Sequence, residues 1–157
     1  MTLLVALGAQ ACTFDTQPDC ADCGRIVIVA VGEPASIVPP LVQETVGRDI
    51  GGLIYEPLLR LRSGGFPADS SAWIPALAEG WEGTDSTVTM TLRAGARWHG
   101  GLPVTAEDVV FSHGVYADTA VGAPGLPALD GIRVEALDAR TVRFSFAAGR
   151  PSPLYDI

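Results

Sequence analysis

Residues 87–112 read TVTMTLRAGARWHGGLPVTAEDVVFS, and this stretch decides how the chain folds. In residues 87–92 apolar side chains alternate with threonines, which is the two-residue period of a strand with one buried face. Residues 94–96 form a predicted turn. Thr105 and Asp108 then have the spacing of a capping box, with Asp in place of the usual Glu or Gln. The stretch therefore predicts a strand, a turn and the start of a helix.

Beyond this stretch, the same predicted helix continues and a hairpin follows it. The apolar stripe of the helix contains Ala106, Val109, Val110 and His113. Residues 132–136 and 141–146 both alternate between apolar and polar side chains, and Asp138 and Ala139 lie between them. This pattern predicts two antiparallel strands joined by a short turn.

Toward the N-terminus the pattern predicts further strands and one helix. Residues 26–31, IVIVAV, are a run of mainly β-branched residues, typical of a strand buried on both faces. Residues 41–55 have helical spacing, and Pro57 ends that helix. Residues 58–61 predict a short strand, and residues 75–81 a short turn or helical piece. The chain is therefore of mixed α and β class.

Composition restricts the kinds of partner. The chain has 157 residues and a formal net charge of −8, and its acidic and basic residues are interspersed. Binding to nucleic acid needs a clustered basic face, which the sequence lacks, so nucleic acid is not an expected partner. No apolar run reaches the roughly 20 residues that span a bilayer.

The N-terminal segment resembles the end of a secretory signal. Residues 1–11 are almost all apolar or small, and Cys12 follows directly. In bacterial lipoproteins a cysteine in this position carries the lipid, so residues 1–12 are predicted to be a signal remnant with lipid attachment at Cys12. No Lys or Arg precedes the apolar run, and Gln10 stands where a small residue is usual. A frayed apolar N-terminus or a wrongly chosen start codon is the alternative.

Residues 13–24 contain Asp, Thr, Pro and Gly and are predicted to be a flexible tether. Cys20 and Cys23 lie in this segment as Cys-Ala-Asp-Cys, without the helix that follows a thioredoxin-type redox pair. A zinc site would need a second ligand pair. A local disulfide and two unused thiols both remain open.

The sequence contains no phosphate-binding loop, no Gly-x-Ser-x-Gly elbow and no His-Glu-x-x-His pair. His99 and His113 are isolated, and we expect hydrogen-bonded boundary residues there instead of metal ligands. Glu107 and Asp108 lie where carboxylates cap a helix and favour its dipole. The sequence therefore predicts no enzyme, no metal site and no cofactor.

Three tryptophans are the remaining candidates for ligand contact. Trp73, Trp81 and Trp98 each lie at the edge of a predicted strand or turn. They could form an aromatic platform for a ligand. Tryptophans at such edges usually seal the end of a hydrophobic core, and we expect that role here.

Four ordered segments carry a family resemblance: residues 53–58 (LIYEPL), 75–81 (PALAEGW), 92–101 (LRAGARWHGG) and 103–112 (PVTAEDVVFS). Together they resemble family 5 of the extracellular solute-binding proteins, which includes dipeptide-, oligopeptide- and nickel-binding proteins. Residues 132–142 are similar to a hairpin of the same family. The similarity covers roughly residues 25–155. The chain departs from the family at His99-Gly100-Gly101, which lacks the usual aspartate, and at His113-Gly114, where Phe-Glu is usual.

The resemblance implies a type II periplasmic-binding-protein fold, in which two lobes close around a ligand and a small extra domain is attached. Residues 25–50 would hold the first strand and the start of the first lobe. Residues 51–157 would form the small α+β domain, truncated before the chain returns to the first lobe. The resemblance also implies that this fragment alone does not bind ligand.

The loop after residues 26–31 is the one place nominated for ligand contact, because ligands of α/β folds lie at the carboxyl ends of buried strands. It contains Gly32, Glu33 and Ser36, and Glu33 could meet a peptide amine or remain a solvated carboxylate.

The implied function is that of the extracytoplasmic, lipid-anchored receptor of an ABC importer, which delivers peptides or related solutes to membrane permease subunits. Two alternatives stay open. One is a peptide-sensing signalling receptor of the same fold. The other is an extracellular interaction module that takes no part in transport.

Overall fold

A computed structural model describes Val27, residues 29–124 and residues 129–157. The helices are α1 (Thr45–Ile54) and α2 (Ala106–Ala117), and single 3-10 turns occur at Pro39–Leu41 and Ser70–Ala72. The strands are β1 (Leu59–Leu61), β2 (Trp73–Pro75), β3 (Ala78–Gly83), β4 (Thr87–Leu92), β5 (Ile132–Ala136) and β6 (Thr141–Phe146).

The main sheet has four antiparallel strands in the order β3-β4-β6-β5. Val88 of β4 lies opposite Phe144 of β6, and Met90 lies opposite Val142. Because side chains of directly paired residues share a face, these four buried side chains form one apolar layer. The alternating patterns predicted for β4 and for the β5–β6 hairpin are thus confirmed.

Helix α2 covers the apolar layer by packing against β5 and β6. Ala106 and Val109 of the helix are buried in the same cluster as the sheet residues. The predicted capping box is present: the Thr105 hydroxyl accepts from the backbone N–H of Asp108, and the Thr105 N–H donates to Asp108 Oδ2 at 2.7 Å. The helix therefore begins where the sequence predicts.

The segment 75–81 is mainly strand, which corrects the prediction of a turn or helical piece. Strand β2 pairs with β1 in a separate two-stranded sheet, and β3 pairs with β4. Trp81 lies opposite Met90, and a register shift occurs between Ala78 and Gly80. Pairing with the strongly patterned β4 outweighs the weak local signal of a stretch rich in Ala and Gly.

The prediction of a buried strand at residues 26–31 is wrong for the part that the structure describes. Val27 and the residues from Val29 to Val31 belong to no strand, and the three valines are 73%, 88% and 99% exposed. A strand buried on both faces needs a neighbour on each side. The described part of the chain supplies no strand that pairs with this segment.

The predicted helix at 41–55 is present but shorter, because α1 begins at Thr45 after the 3-10 turn. It ends before Pro57, as predicted. Gly47 and Gly51 are its buried residues. Neither of the two described helices is long and apolar enough to cross a membrane.

Candidate functional site

The predicted ligand-binding loop, residues 32–36, lies at the surface beside α1. Gly32 has a φ of +96°, a conformation that suits glycine and few other residues. The Glu33 side chain is exposed. Ser36 is half-buried, and its hydroxyl accepts from the backbone N–H of Val38 at 3.1 Å. Ser36 thus holds the loop in shape, and Glu33 is the residue that offers a free charge to solvent.

Helix α1 fixes the position of this loop. Glu44, next to the start of the helix, accepts from the backbone N–H of Ala35 at 2.8 Å. Hydrogen bonds from backbone N–H groups, chiefly its own and that of Ala35, lower the pKa of the Glu44 carboxyl. Gly47 lies so close to the loop that a Cβ there would be 2.6 Å from the carbonyl oxygen of Ser36. The loop is therefore built on a close helix contact that requires glycine.

A shallow groove of about 390 Å³ lies elsewhere, between the β3–β4 turn and residues 150–154. Trp73 and Trp81 line it, and neither Glu33 nor Ser36 does. Trp73 Nε1 donates to the carbonyl oxygen of Pro67 at 3.0 Å. Both tryptophans are half-buried and pack against the core, as expected of residues that seal its end. The predicted ligand loop and this groove are separate features.

The remaining candidate residues are Trp98, the two histidines and the three cysteines. Trp98 is exposed and does not pack against the core cluster, so the prediction that it seals the core is wrong for this residue. Its Nε1 donates to Asp108 Oδ2 at 3.3 Å, beside the first turn of α2. His99 is exposed in the adjoining turn. His113 is half-buried on α2, and its buried Nε2 makes no hydrogen bond, which differs from the predicted hydrogen-bonded histidine. In the described part of the chain, no group of three or more His, Cys, Asp and Glu side chains could hold a metal ion. Cys12, Cys20 and Cys23 lie outside the described residues.

The sequence motifs contain contacts that residue patterns alone did not reveal. Arg93 donates to both carboxylate oxygens of Glu56, at 2.5 and 2.7 Å, and to the carbonyl oxygen of Ala76 at 3.0 Å. The hydrogen bonds from the Arg93 guanidinium lower the pKa of the Glu56 carboxyl. These three residues belong to three different motif segments. Arg93 therefore connects the three motif segments. The one clue to this contact in the sequence is that all three residues lie in the family motifs.

The part of the chain that matches a known protein family coincides with the main sheet and α2. Residues 72–156 match the family described as bacterial extracellular solute-binding proteins, family 5 middle, and this range contains β2 to β6 and α2. The chain belongs to this family. The four-stranded sheet and α2 are therefore the part of the structure that the family match describes.

Individual proteins similar to this chain support the same assignment. The peptidoglycan-binding protein YepA of Agrobacterium fabrum is 32% identical over 87% of this chain and 23% of its own length. The periplasmic oligopeptide-binding protein OppA of Haemophilus influenzae is 33% identical over 86% of this chain and 24% of its own. The crystal structure of the ABC transporter substrate binding protein CtaP of Listeria monocytogenes superposes with a TM-score of 0.68 and 28% identity, over 82% of this chain and 26% of that one.

The chain spans about a quarter of the length of these relatives. Type II periplasmic binding proteins are among its structural neighbours, which confirms the predicted fold class for this part. The assignment of residues 25–50 to the first lobe stays a prediction, as does ligand contact by Gly32, Glu33 and Ser36.

Proposed function

We propose that this chain forms part of an extracytoplasmic receptor that captures oligopeptides for an ABC importer. The observation that carries the proposal is the family 5 match over residues 72–156, the same residues that build the four-stranded sheet and α2. The name of one relative, an oligopeptide-binding protein, supports peptide as the solute. In this role the protein binds and releases its solute without any chemical step.

In the proposed mechanism, solute is enclosed between lobes that close on a hinge. The described domain contributes one packed unit, because α2 packs against β5 and β6 and the β4–β6 and β5–β6 pairs have no register shift. The exposed Glu33 is proposed to meet the amine of a peptide at the edge of the cleft. The rest of the cleft is proposed to come from lobes corresponding to the other three quarters of the relatives.

The cell-surface location is also a proposal. The apolar residues 1–11 followed by Cys12 support a lipid anchor at that cysteine. Expression in a bacterial host with labelled palmitate should give a labelled product, and Cys12→Ser should abolish the label. A labelled Cys12→Ser product would remove Cys12 as the attachment site.

A chimera with an oligopeptide-binding relative tests the proposed peptide-binding function. Replacing the corresponding segment of Haemophilus influenzae OppA with residues 72–156 should give a chimera that still binds oligopeptide, measured by isothermal titration calorimetry. We expect binding within about tenfold of the parent, because the segment supplies an equivalent domain. A chimera that unfolds cooperatively yet binds no peptide would contradict the proposal.

The matched control is the same graft carrying Met90→Ala. Met90 is fully buried in the middle of the apolar layer, so this graft should lose stability by about 2–5 kcal/mol. If peptide binding depends on the domain as proposed, binding and stability should fall together.

A further inference from the structure

Helix α2 carries one buried side-chain polar atom that has no hydrogen-bond partner. The Nε2 of His113 is buried and makes no hydrogen bond in the structure. Buried polar atoms in proteins almost always have partners, because burying one without a partner costs free energy. His113 lies on the helix stripe that contains Ala106 and Val109, the face that packs against β5 and β6.

The face of β5 and β6 that packs against α2 contains no charged residue. On β5 the half-buried residues are Ile132, Val134 and Ala136, and they pair with Phe146, Phe144 and Val142 of β6. The charged residues of these two strands occupy the alternate positions, which face away from the helix: Arg133, Glu135 and Arg143. A positive charge on His113 would therefore meet an apolar layer with no acceptor.

Three other titratable groups lie in the carboxyl-terminal half of α2 and in the described part of the loop between α2 and β5. Tyr116 lies one turn further along α2, and burial raises the pKa of its hydroxyl. Asp118 follows the helix and Asp130 precedes β5, and both residues are exposed. Neither carboxylate is hydrogen-bonded to the histidine, so solvent screens their charges from the ring.

Burial and the helix dipole act on the imidazole in opposite directions, but the dipole acts mainly within the last turn of a helix, and His113 precedes that turn of α2. Burial disfavours the charged ring, and it is burial that lowers the pKa of His113 below 6.5. The neutral ring is thus the form that fits the packed helix. Gly114 follows it and adds a weak helix position.

We propose that α2 is a pH-sensitive element of this domain, and that protonation of His113 releases the carboxyl-terminal half of the helix from β5. The amino-terminal half is held by the capping box and by buried Ala106 and Val109, so the release is local. The four-stranded sheet stays paired. The proposal does not depend on the ligand of the protein.

Amide hydrogen exchange of the 157-residue chain, followed by NMR between pH 7.5 and pH 5.0 and corrected for intrinsic rates, tests this. Amides of residues 113–117 should begin to lose protection as pH falls below about 6.5, the ordinary pKa of the released ring, and should lose roughly tenfold or more by pH 5.0. Amides of β4 and β6 should keep their protection. His99 is exposed and lies outside α2, so it is the reference position for a change that does not involve the helix.

Two variants separate the causes. His113→Phe keeps an aromatic ring without a titrating nitrogen, and the protection of α2 should then be constant over this range. His99→Phe should behave as the unmodified chain. The proposal is overturned if α2 in the unmodified chain keeps its protection at pH 5.0, or if His113→Phe loses protection as the unmodified chain does. Should His113→Phe fail to fold, a His113 ring midpoint at or above 6.5 in the unmodified chain also overturns it.

Discussion

Single residues of the family motifs act as connections between segments. Arg93 binds Glu56, which lies 37 positions earlier in the chain, through a bidentate pair. The same guanidinium also binds the carbonyl oxygen of Ala76, next to the start of β3. Bidentate arginine–carboxylate pairs are geometrically specific, so this contact fixes how the two-stranded sheet lies against the main sheet.

Arg93→Ala should lower the free energy of unfolding by about 1 kcal/mol. The estimate is small because more than a third of each side chain is exposed and solvent screens the pair. Denaturation by urea, followed by circular dichroism, measures the change.

Arg143→Ala is the matched control. Arg143 and Glu135 have similar exposure, but they make a single contact at 3.5 Å. Arg143→Ala should lower the free energy of unfolding by no more than about 0.5 kcal/mol. Equal losses of unfolding free energy in the two variants would show that the Arg93 pair stabilises the fold no more than an ordinary surface ion pair.

At the scale of elements, the start of α2 is the feature most fully encoded in local sequence. Asp108 accepts from the Thr105 N–H, the Thr105 hydroxyl and Trp98 Nε1. Burial raises the pKa of the Asp108 carboxyl, but these hydrogen bonds outweigh it and the net effect is a lowered pKa. The ionised carboxylate is therefore the form that stabilises the helix start.

Asp108→Ala should cost about 1 kcal/mol at pH 7, since it removes half of the capping box. The folded-state pKa is below the unfolded value of 3.8, so the contribution of Asp108 is fully present above that value and is lost as pH falls below it. Urea denaturation from pH 7 to pH 2 should show the two proteins converging in acid. Glu107→Ala is the control, because Glu107 is exposed in the same turn and makes no cap. A difference that stays constant into acid would contradict this account.

Elements with complete local signals were predictable, and those formed by distant pairing were not. Strand β4 and α2 carry their own alternation and cap, and both appear where the sequence places them. Strand β3 contains Gly80 and takes its conformation from β4, so its residues alone predicted no strand. At the candidate site, Glu33 was identifiable as a loop carboxylate. The anchoring of that loop by Glu44 depends on how α1 packs, which no spacing in the sequence reveals.

At the scale of the whole molecule, the valines near the N-terminus form an apolar surface that no strand of the described residues covers. Val29 and Val31 are 88% and 99% exposed in a run of β-branched residues. Exposed apolar segments of this kind promote pairing between chains. The chain spans about a quarter of its relatives, and this surface is where we expect further lobes to pack.

The double change Val29→Ser with Val31→Ser should reduce self-association of the 157-residue chain, measured by sedimentation velocity over a range of concentrations. Its unfolding free energy should stay within about 0.5 kcal/mol of the parent, because neither side chain is buried. Phe66→Ser serves as the control, since Phe66 is also exposed but lies in a separate loop. Equal effects from the two changes would mean that general surface apolarity, and not this segment, drives association.

We propose that this chain contributes a family 5 domain to a receptor whose peptide cleft also needs other lobes. Calorimetric titration of the isolated 157-residue chain with peptides of two to five residues tests it most directly, with intact Haemophilus influenzae OppA as the positive control. We predict no saturable heat from the isolated chain and clear binding by the control. Saturable micromolar binding by the isolated chain would contradict the claim, because it would place a complete site within these 157 residues.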